Sequence, residues 1–331
     1  MRRSGGSGTR VAARQVLPSS RGVVSCFDSN GRVSWVSRER TETECISSTI
    51  GAGKSWYADG VSYAPHGGLK GLTLGNGLAE GAVFNNRMQV GEMTLGSGGS
   101  VWKLVNEYTR TGVVNNGNVW KQRLTIPGKP VIVTAFDYDG VNRLTVAEEG
   151  PANENAAACT GAAAGNWCQK FSYDRWGNRL VAAKYGVGQG TSVLDPGAVS
   201  AGTNQVTGGN WHYNGRGDLD TDGDGRKYLY DAEGRLVATC GAAVALGSCN
   251  ALDAGGTWEA RYVYDGNGKR VRRDTQVGGV VTTVVWGYDA GGKMVAEYGV
   301  GEGLGGVQYV TADHLGSTRV VTDGGGMGWR D

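Results

Sequence analysis

The amino-acid sequence predicts an almost all-β protein built from repeated hairpins. Three observations support this prediction: a short motif recurs along most of the 331 residues, glycine is abundant, and no segment keeps a helical period. The 59 glycines show no Gly-X-Y period, which excludes collagen, and 10 Trp and 14 Tyr supply aromatic side chains for a core. This composition is typical of glycine turns placed between aromatic strands.

The recurring motif is clearest at residues 230–237, where the sequence is YDAEGRLV. Aspartate starts a turn by bonding the backbone two residues on, and glycine supplies the positive φ that the turn needs. Because aromatic, β-branched and aliphatic residues flank it, each copy predicts a strand, a tight turn and a returning strand. The motif residues are Tyr138 and Asp139; Tyr173, Asp174 and Gly177; Tyr230, Asp231 and Gly234; Tyr264, Asp265 and Gly268; and Tyr288, Asp289 and Gly292. A further close copy begins at Phe27 and Asp28, and a looser copy begins at Tyr213 and Asn214.

The spacing of the copies indicates how the hairpins are arranged. A single hairpin buries too little surface to be stable, so the copies are expected to pair side by side. From Tyr138 onward, adjacent copies start between 17 residues (Tyr213 to Tyr230) and 40 residues (Tyr173 to Tyr213) apart. This irregular spacing favours a spiralling sheet with long Gly-rich loops over a strict solenoid. Asn-Gly pairs at residues 76–77 and 116–117 predict further hairpins.

The motif resembles the YD repeat of the RHS and teneurin-like families, and the resemblance covers the chain from about residue 64 to its end. Residues 74–78 (LGNGL) resemble a segment common in RHS repeat proteins. Residues 311–319 (TADHLGSTR) resemble the signature of the RHS-associated core, whose central residues here are Asp313, His314, Leu315 and Gly316.

The resemblance implies a β-shell that encloses a variable C-terminal toxin or effector, and therefore a non-enzymatic role as a segment of the wall. It also implies a chain that continues beyond the core signature. The sequence is accordingly expected to be a fragment, too short to close a shell alone. Its expected partners are the rest of a longer RHS chain or a C-terminal effector.

Three parts are expected along the chain. Residues 1–20, rich in Gly, Ser and Arg, are expected to be disordered; residues 21–306 form the YD-repeat array; and residues 307–331 begin the truncated core region. No apolar stretch reaches the roughly 18 residues that a membrane helix needs, and the N-terminus has no apolar signal-peptide segment. A net charge of +2 gives no reason to expect nucleic acid as a partner, and the basic run at residues 269–273 is interpreted as a solvated strand and turn.

The six cysteines fall into three local pairs that we interpret as disulfides. Zinc would require a Cys-x-x-Cys spacing or histidine partners, and neither appears. Disulfides favour an oxidising location, so the cysteines and the family together indicate an extracellular or cell-surface protein. The pairs are Cys26 with Cys45, Cys159 with Cys168, and Cys240 with Cys249.

Residues 220–225 (DTDGDG) form the most suggestive polar motif. Asp220, Asp222 and Asp224 alternate on a glycine turn, and Asp231 stands at the twelfth position, which resembles a calcium loop. Against calcium, the twelfth residue is not Glu, no helices flank the loop, and Asp231 is already a turn residue of the repeat. An acidic hairpin turn is the favoured interpretation, with the calcium loop as the alternative.

Two alternative functions remain open from the sequence. His314, next to Asp313 and three residues before Ser317, suggests a hydrolase, but adjacent side chains on a strand point to opposite faces and no Gly-x-Ser-x-Gly motif is present. We therefore expect no enzyme and no cofactor. The other alternative is a glycan-binding or adhesion module, which a row of exposed Trp and Tyr side chains would support.

Overall fold

The computed structural model describes residues 12–16, 22–38, 45, 56–110, 112, 114–150, 167–186, 198–250, 257–288, 294–299 and 308–326. Within these residues the secondary structure consists of 23 strands and two short 3₁₀ helices, Ser97–Gly99 and Leu246–Ser248, with no α-helix. The predicted all-β class is confirmed.

The first sheet contains thirteen strands, and neighbours in the sheet are neighbours in the chain. Among the described residues this order is linear, so the sheet does not close on itself. Its strands are β1 (Ala12–Val16), β2 (Gly22–Phe27), β3 (Val33–Arg38), β4 (Trp56–Tyr63), β5 (Leu69–Leu74), β6 (Ala79–Phe84), β7 (Val90–Leu95), β8 (Trp102–Glu107), β9 (Lys121–Thr125), β10 (Ile132–Tyr138), β11 (Leu144–Glu149), β12 (Cys168–Tyr173) and β13 (Arg179–Tyr185).

The second sheet has eight strands in the same chain-order arrangement, and the last two strands form a separate hairpin. The second sheet comprises β14 (His212–Tyr213), β15 (Leu219–Thr221), β16 (Lys227–Tyr230), β17 (Leu236–Cys240), β18 (Ala260–Tyr264), β19 (Arg270–Val277), β20 (Val280–Tyr288) and β21 (Met294–Gly299). The hairpin, termed the C-terminal hairpin below, comprises β22 (Tyr309–Ala312) and β23 (Thr318–Thr322).

The chain divides into two compact units. The first unit comprises Met1–Lys170, Tyr185–Val187 and Leu304–Asp331, and the second comprises Phe171–Lys184 and Gly188–Gly303. In sequence order, most of the second unit therefore lies between two parts of the first, and the second of these parts contains the C-terminal hairpin. The C-terminal hairpin, expected to begin a separate core region, belongs to the first unit.

Two local expectations need correction. Strand β1 lies inside the segment expected to be disordered, and its pairing with β2 orders Ala12–Val16; the rest of residues 1–20 lies outside the described residues. The second Asn-Gly pair does not form a tight hairpin, because β8 ends at Glu107 and β9 begins only at Lys121. The side chain of Asn115 instead accepts the N–H of Gly117 and so shapes a longer loop.

One hydrophobic cluster of the first unit lies on strands β5, β7, β8 and β23. Alternate residues of β8 are buried, as the two-residue period of a strand requires. They join residues of neighbouring strands and one residue of the C-terminal hairpin in one cluster: Leu74, Leu95, Trp102, Leu104 and Val320. The second unit has a smaller cluster of Cys240, Cys249 and Trp258.

Candidate functional site: the junctions between hairpins

The aspartate of each described motif copy builds its own turn. In the clearest copy, Oδ1 of Asp231 accepts the backbone N–H groups of Glu233 and Arg235, each at 2.9 Å, and Oδ2 accepts Nε of Arg235 at 2.7 Å. Gly234 closes the turn with a φ of 77°. Asp28, Asp139, Asp174, Asp265 and Asp313 accept the same two backbone N–H groups in their own turns. Asp289 and Gly292 lie outside the described residues.

These bonds hold the carboxylates in their ionised form. The backbone N–H of Arg235, together with its guanidinium, lowers the pKa of Asp231. The corresponding groups of Arg32 and Arg143 lower the pKa values of Asp28 and Asp139. Each turn therefore contains a local ion pair or charge-assisted hydrogen bond at neutral pH.

In three copies, those of Tyr138, Tyr264 and Tyr288, the tyrosine hydroxyl donates to a backbone carbonyl that precedes the copy in the chain. The hydroxyl of Tyr264 donates to the carbonyl oxygen of Leu236 at 2.8 Å, and Leu236 is the first residue of the preceding returning strand. Arg235, which pairs with Asp231 of its own turn, also stacks on the Tyr264 ring, with its guanidinium carbon 5.2 Å from the ring centre. Each such junction thus joins a turn, a basic side chain and the tyrosine of the next hairpin.

The same junction recurs twice with different residues. The Tyr63 hydroxyl donates to Val33 O at 2.8 Å while Arg32 stacks on its ring, and the Tyr288 hydroxyl donates to Arg270 O at 2.7 Å while Lys269 stacks. Two further tyrosines make the hydroxyl-to-carbonyl bond: Tyr108 to Val90 and Tyr138 to Val119. Burial raises the pKa of Tyr138 to about 12, so its hydroxyl stays a donor at neutral pH.

The acidic segment at residues 220–225 is a turn of the same type. Oδ1 of Asp222 accepts the N–H groups of Asp224 (3.0 Å) and Arg226 (2.9 Å), and Oδ2 accepts the Tyr228 hydroxyl at 2.7 Å. Asp220 lies 2.6 Å from Nδ1 of His212 instead. In the part of the chain that the structure describes, no group of three or more His, Cys, Asp or Glu side chains could hold a metal ion. The carboxylates of Asp220 and Asp222 thus have hydrogen-bond partners within the fold.

The repeat pattern does not include this turn, because Thr221 and not an aromatic residue precedes Asp222. The sequence signal that finds it is Asp-x-x-Gly followed by a basic residue, here ending at Gly225 and Arg226. Asp313 to Gly316 follows the same Asp-x-x-Gly pattern, so the core signature is itself a hairpin turn of the repeat type.

The structure does not bring together a hydrolase site at His314. The Asp313 carboxylate accepts the N–H groups of Leu315 (2.9 Å) and Ser317 (3.0 Å), and its second oxygen accepts Nε of Arg319 at 2.8 Å. Although burial alone would raise the pKa of Asp313, these donors outweigh it and the pKa is lowered. His314 lies exposed at the tip of the turn.

Exposed aromatic residues do not form a row in the described residues. Trp176 is exposed, whereas the other described Trp and Tyr side chains are buried or half-buried. The basic run also has internal partners: Lys269 stacks on Tyr288, Arg270 on Tyr262 and Arg273 on Trp286, and Arg272 pairs with Asp274. The aromatic row that a glycan-binding module would need is therefore not seen in this part of the chain.

Two disulfides are described in full. Cys26 is joined to Cys45 with Cα atoms 5.5 Å apart, and Cys240 to Cys249 with Cα atoms 5.8 Å apart. Cys168 is buried and disulfide-bonded. Cys159, its expected partner, lies outside the described residues.

No helix in the described ranges has the length and apolar character that crossing a membrane would need.

The fold and its junctions define a class of protein in which β-hairpins are joined in chain order into open antiparallel sheets. Solved structures with this fold include Tc toxin chains. The pore form of the Photorhabdus luminescens Tc holotoxin with the TccC3-D651A mutation matches with a TM-score of 0.62 and 14% identity, over 98% of this chain and 17% of that chain. The TcdB2-TccC3-Cdc42 structure matches with a TM-score of 0.60 and 13% identity, over 96% of this chain and 19% of that one.

A third structure, TcdB2-TccC3 without its hypervariable C-terminal region, matches with a TM-score of 0.52 and 14% identity, over 96% of this chain and 19% of that one. The chain thus spans less than a fifth of the chains that it matches. These likenesses confirm the fold predicted from the YD-repeat resemblance. Neither a family model nor a curated protein matches the sequence.

Proposed function

We propose that the chain is a non-enzymatic wall segment of an RHS-type shell that encapsulates a toxin. The observation that carries this proposal is the junction, in which a tyrosine and a basic residue tie consecutive hairpins together. A wall needs hairpins joined edge to edge without gaps, and the junction repeats this linkage along both units.

The comparisons support the proposal at the level of fold. One structure that shares it is named as a Tc holotoxin pore and another as TcdB2-TccC3-Cdc42, and this chain aligns along almost its whole length with a minor part of each. A segment of a longer wall would align in this way. The partners proposed for the segment are the rest of a longer RHS chain and a C-terminal effector.

The side chains support a structural role. Three of the aspartates that suggested chemistry in the sequence shape turns, in which Asp222, Asp231 and Asp313 accept backbone N–H groups. The two described disulfides support an oxidising, extracellular or cell-surface location.

The test is to isolate the native protein from its source with an antibody against residues 198–250 and to determine its mass and shape. We expect a polypeptide several times heavier than the 34.6 kDa of this chain, seen by electron microscopy as a hollow particle with density inside. A native species of 34.6 kDa that stays monomeric and shows no cavity would contradict the proposal.

A further inference from the structure

The C-terminal hairpin presents four side chains on one face. Strand pairing places Tyr309 opposite Thr322 and Thr311 opposite Val320, so these four share a face. Thr311, Val320 and Thr322 are at most 3% exposed, whereas Val310 on the other face is 44% exposed. The buried face therefore packs against another part of the first unit.

The surface that receives this face is termed the seat: residues 74–78, Glu80, Leu95, Trp102 and Leu104. Val320 belongs to the same apolar cluster as Leu74, Leu95, Trp102 and Leu104, and Tyr309 packs against that cluster. The LGNGL stretch thus contacts the hairpin whose strands flank the TADHLGSTR turn.

Polar groups make the seat selective. The Asn76 amide Nδ2 donates to Oγ1 of Thr322 and to the carbonyl of Asp323, both at 2.9 Å. Its Oδ1 stays in its own turn and accepts the N–H of Leu78 at 3.2 Å. The Thr311 hydroxyl donates to the Glu80 carboxylate. The seat therefore matches a hairpin with hydroxyls at two fixed positions.

Gly75 gives the hairpin room to approach. A Cβ placed on Gly75 would lie 2.0 Å from the carbonyl oxygen of Trp56 and 2.3 Å from the hydroxyl oxygen of Tyr309. A side chain at this position would clash with both groups.

The pairing of the hairpin shows what holds it in place. In the described structure β22 and β23 pair only with each other. A lone two-stranded hairpin is marginal in water, so its order depends on the seat. Asn76 and Thr322 are 246 residues apart in the sequence, and closing so long a loop costs conformational entropy that the docking contacts offset.

We propose that the C-terminal hairpin is a releasable clasp and that the seat is its specific docking surface. The clasp opens as a unit by leaving the seat. The strands within each of the two large sheets stay paired with their neighbours in that sheet. When docked, it holds the chain where it returns from the second unit to the first. The proposal does not depend on a shell or a cargo, since it concerns contacts within this chain.

Hydrogen exchange of the full chain, read by mass spectrometry, tests the clasp. Asn76→Asp keeps the turn acceptor but removes both donated bonds, and we expect amides of residues 308–326 to exchange at least about tenfold faster. Thr322→Val keeps the side-chain shape but removes one acceptor, and about fivefold faster exchange is expected. Asn116→Asp is the matched control, because Asn116 also accepts an N–H two residues on but contacts Asn142, far from the seat in sequence.

The clasp is overturned if residues 308–326 exchange at the wild-type rate in both seat variants. It is also overturned if strands β14–β20 accelerate as much as the hairpin, because the hairpin would then open only with the whole fold. If Asn76→Asp does not fold, Thr322→Val decides. Failure of the clasp leaves the wall-segment proposal untouched, because that is judged by the native mass and shape.

Discussion

Tyr264 and Leu236 belong to consecutive hairpins and are joined by one hydrogen bond, in which the phenol donates to the backbone carbonyl across 2.8 Å. Adjacent strands already bond through their backbones, so this side-chain bond is an additional link across the junction. Arg235 completes it by bonding Asp231 and covering the Tyr264 ring. The motif thus specifies a turn and also fastens that turn to the next hairpin.

Removing this hydroxyl should weaken the second unit. Tyr264→Phe leaves the Leu236 carbonyl without its side-chain donor, and we expect the free energy of unfolding to fall by about 1 kcal/mol in urea denaturation. Tyr262→Phe is the control, since the Tyr262 hydroxyl makes no hydrogen bond within the described residues. Equal losses for the two variants would mean that the bond to Leu236 has no special weight.

Replacing Met88 with glycine should stabilise the folded protein. It occupies the turn position that glycine takes in most copies and has a φ of 64°, which is costly for a residue with a Cβ. We expect Met88→Gly to raise the free energy of unfolding by about 0.5 to 1 kcal/mol, after allowing for the greater freedom of glycine in the unfolded chain.

Met88→Ala separates the causes of that gain. It also removes the exposed side chain but keeps the Cβ at positive φ, so its stability should stay near that of the wild type. A gain in Met88→Ala as large as in Met88→Gly would show that the side chain, and not the backbone, was unfavourable.

Acid should destabilise the second sheet through Asp274. Burial of this carboxyl opposes ionisation, but bonds from Arg272, Thr283 and Arg261 outweigh burial and lower its pKa below 3.8. A pKa lowered on folding stabilises the native state above the unfolded value, and this contribution is lost as pH falls through the folded value. The loss should therefore begin near pH 4 and grow toward more acidic solution.

Thermal unfolding from neutral pH to about pH 3 measures this contribution. Asp274→Asn, which cannot ionise, should be less stable at neutral pH and should lose less of its Tm on acidification than the wild type. Parallel curves for the two proteins would assign the acid sensitivity to other carboxylates.

Reduction of the Cys240–Cys249 disulfide should destabilise the second unit. The bond closes a loop with a sequence separation of 9, for which chain entropy gives a stabilisation of about 2.6 kcal/mol. Changing both cysteines to alanine should lower the Tm, and reductant should then cause a smaller further shift than in the wild type. An unchanged Tm in the double variant would show that packing around Trp258, and not the crosslink, orders this loop.

Local features of the fold could be predicted from the sequence because their causes are local. Asp231 and Gly234 lie within one turn, so their spacing alone predicts it. The repeat pattern begins with an aromatic residue, however, so it does not include Asp222, and the acidic hairpin turn predicted there is not recognised as a repeat although its carboxylate accepts the same backbone N–H groups as Asp231. The physical signal is the aspartate and the glycine three residues on.

The junctions and the clasp could not be predicted in this way. The partner of a tyrosine depends on the insertion between hairpins: Tyr288 bonds a carbonyl 18 residues back, whereas Tyr63 bonds one 30 residues back. The contact of Asn76 with Thr322 spans nearly the whole array. Motif spacing carries no information about such pairs, although the clasp and part of its seat each contain a recognisable sequence motif.

The return of the chain to its first unit has a consequence for synthesis on the ribosome. The seat residues Leu74, Leu95, Trp102 and Leu104 are made early, but Val320, which covers them, is made last among the members of that cluster. At usual elongation rates, the 246 residues between Asn76 and Thr322 take roughly 12 to 50 s to translate. During that time the apolar side chains of the seat are exposed on the nascent protein, where a chaperone could bind them. Translation and docking of the C-terminal hairpin end this exposure.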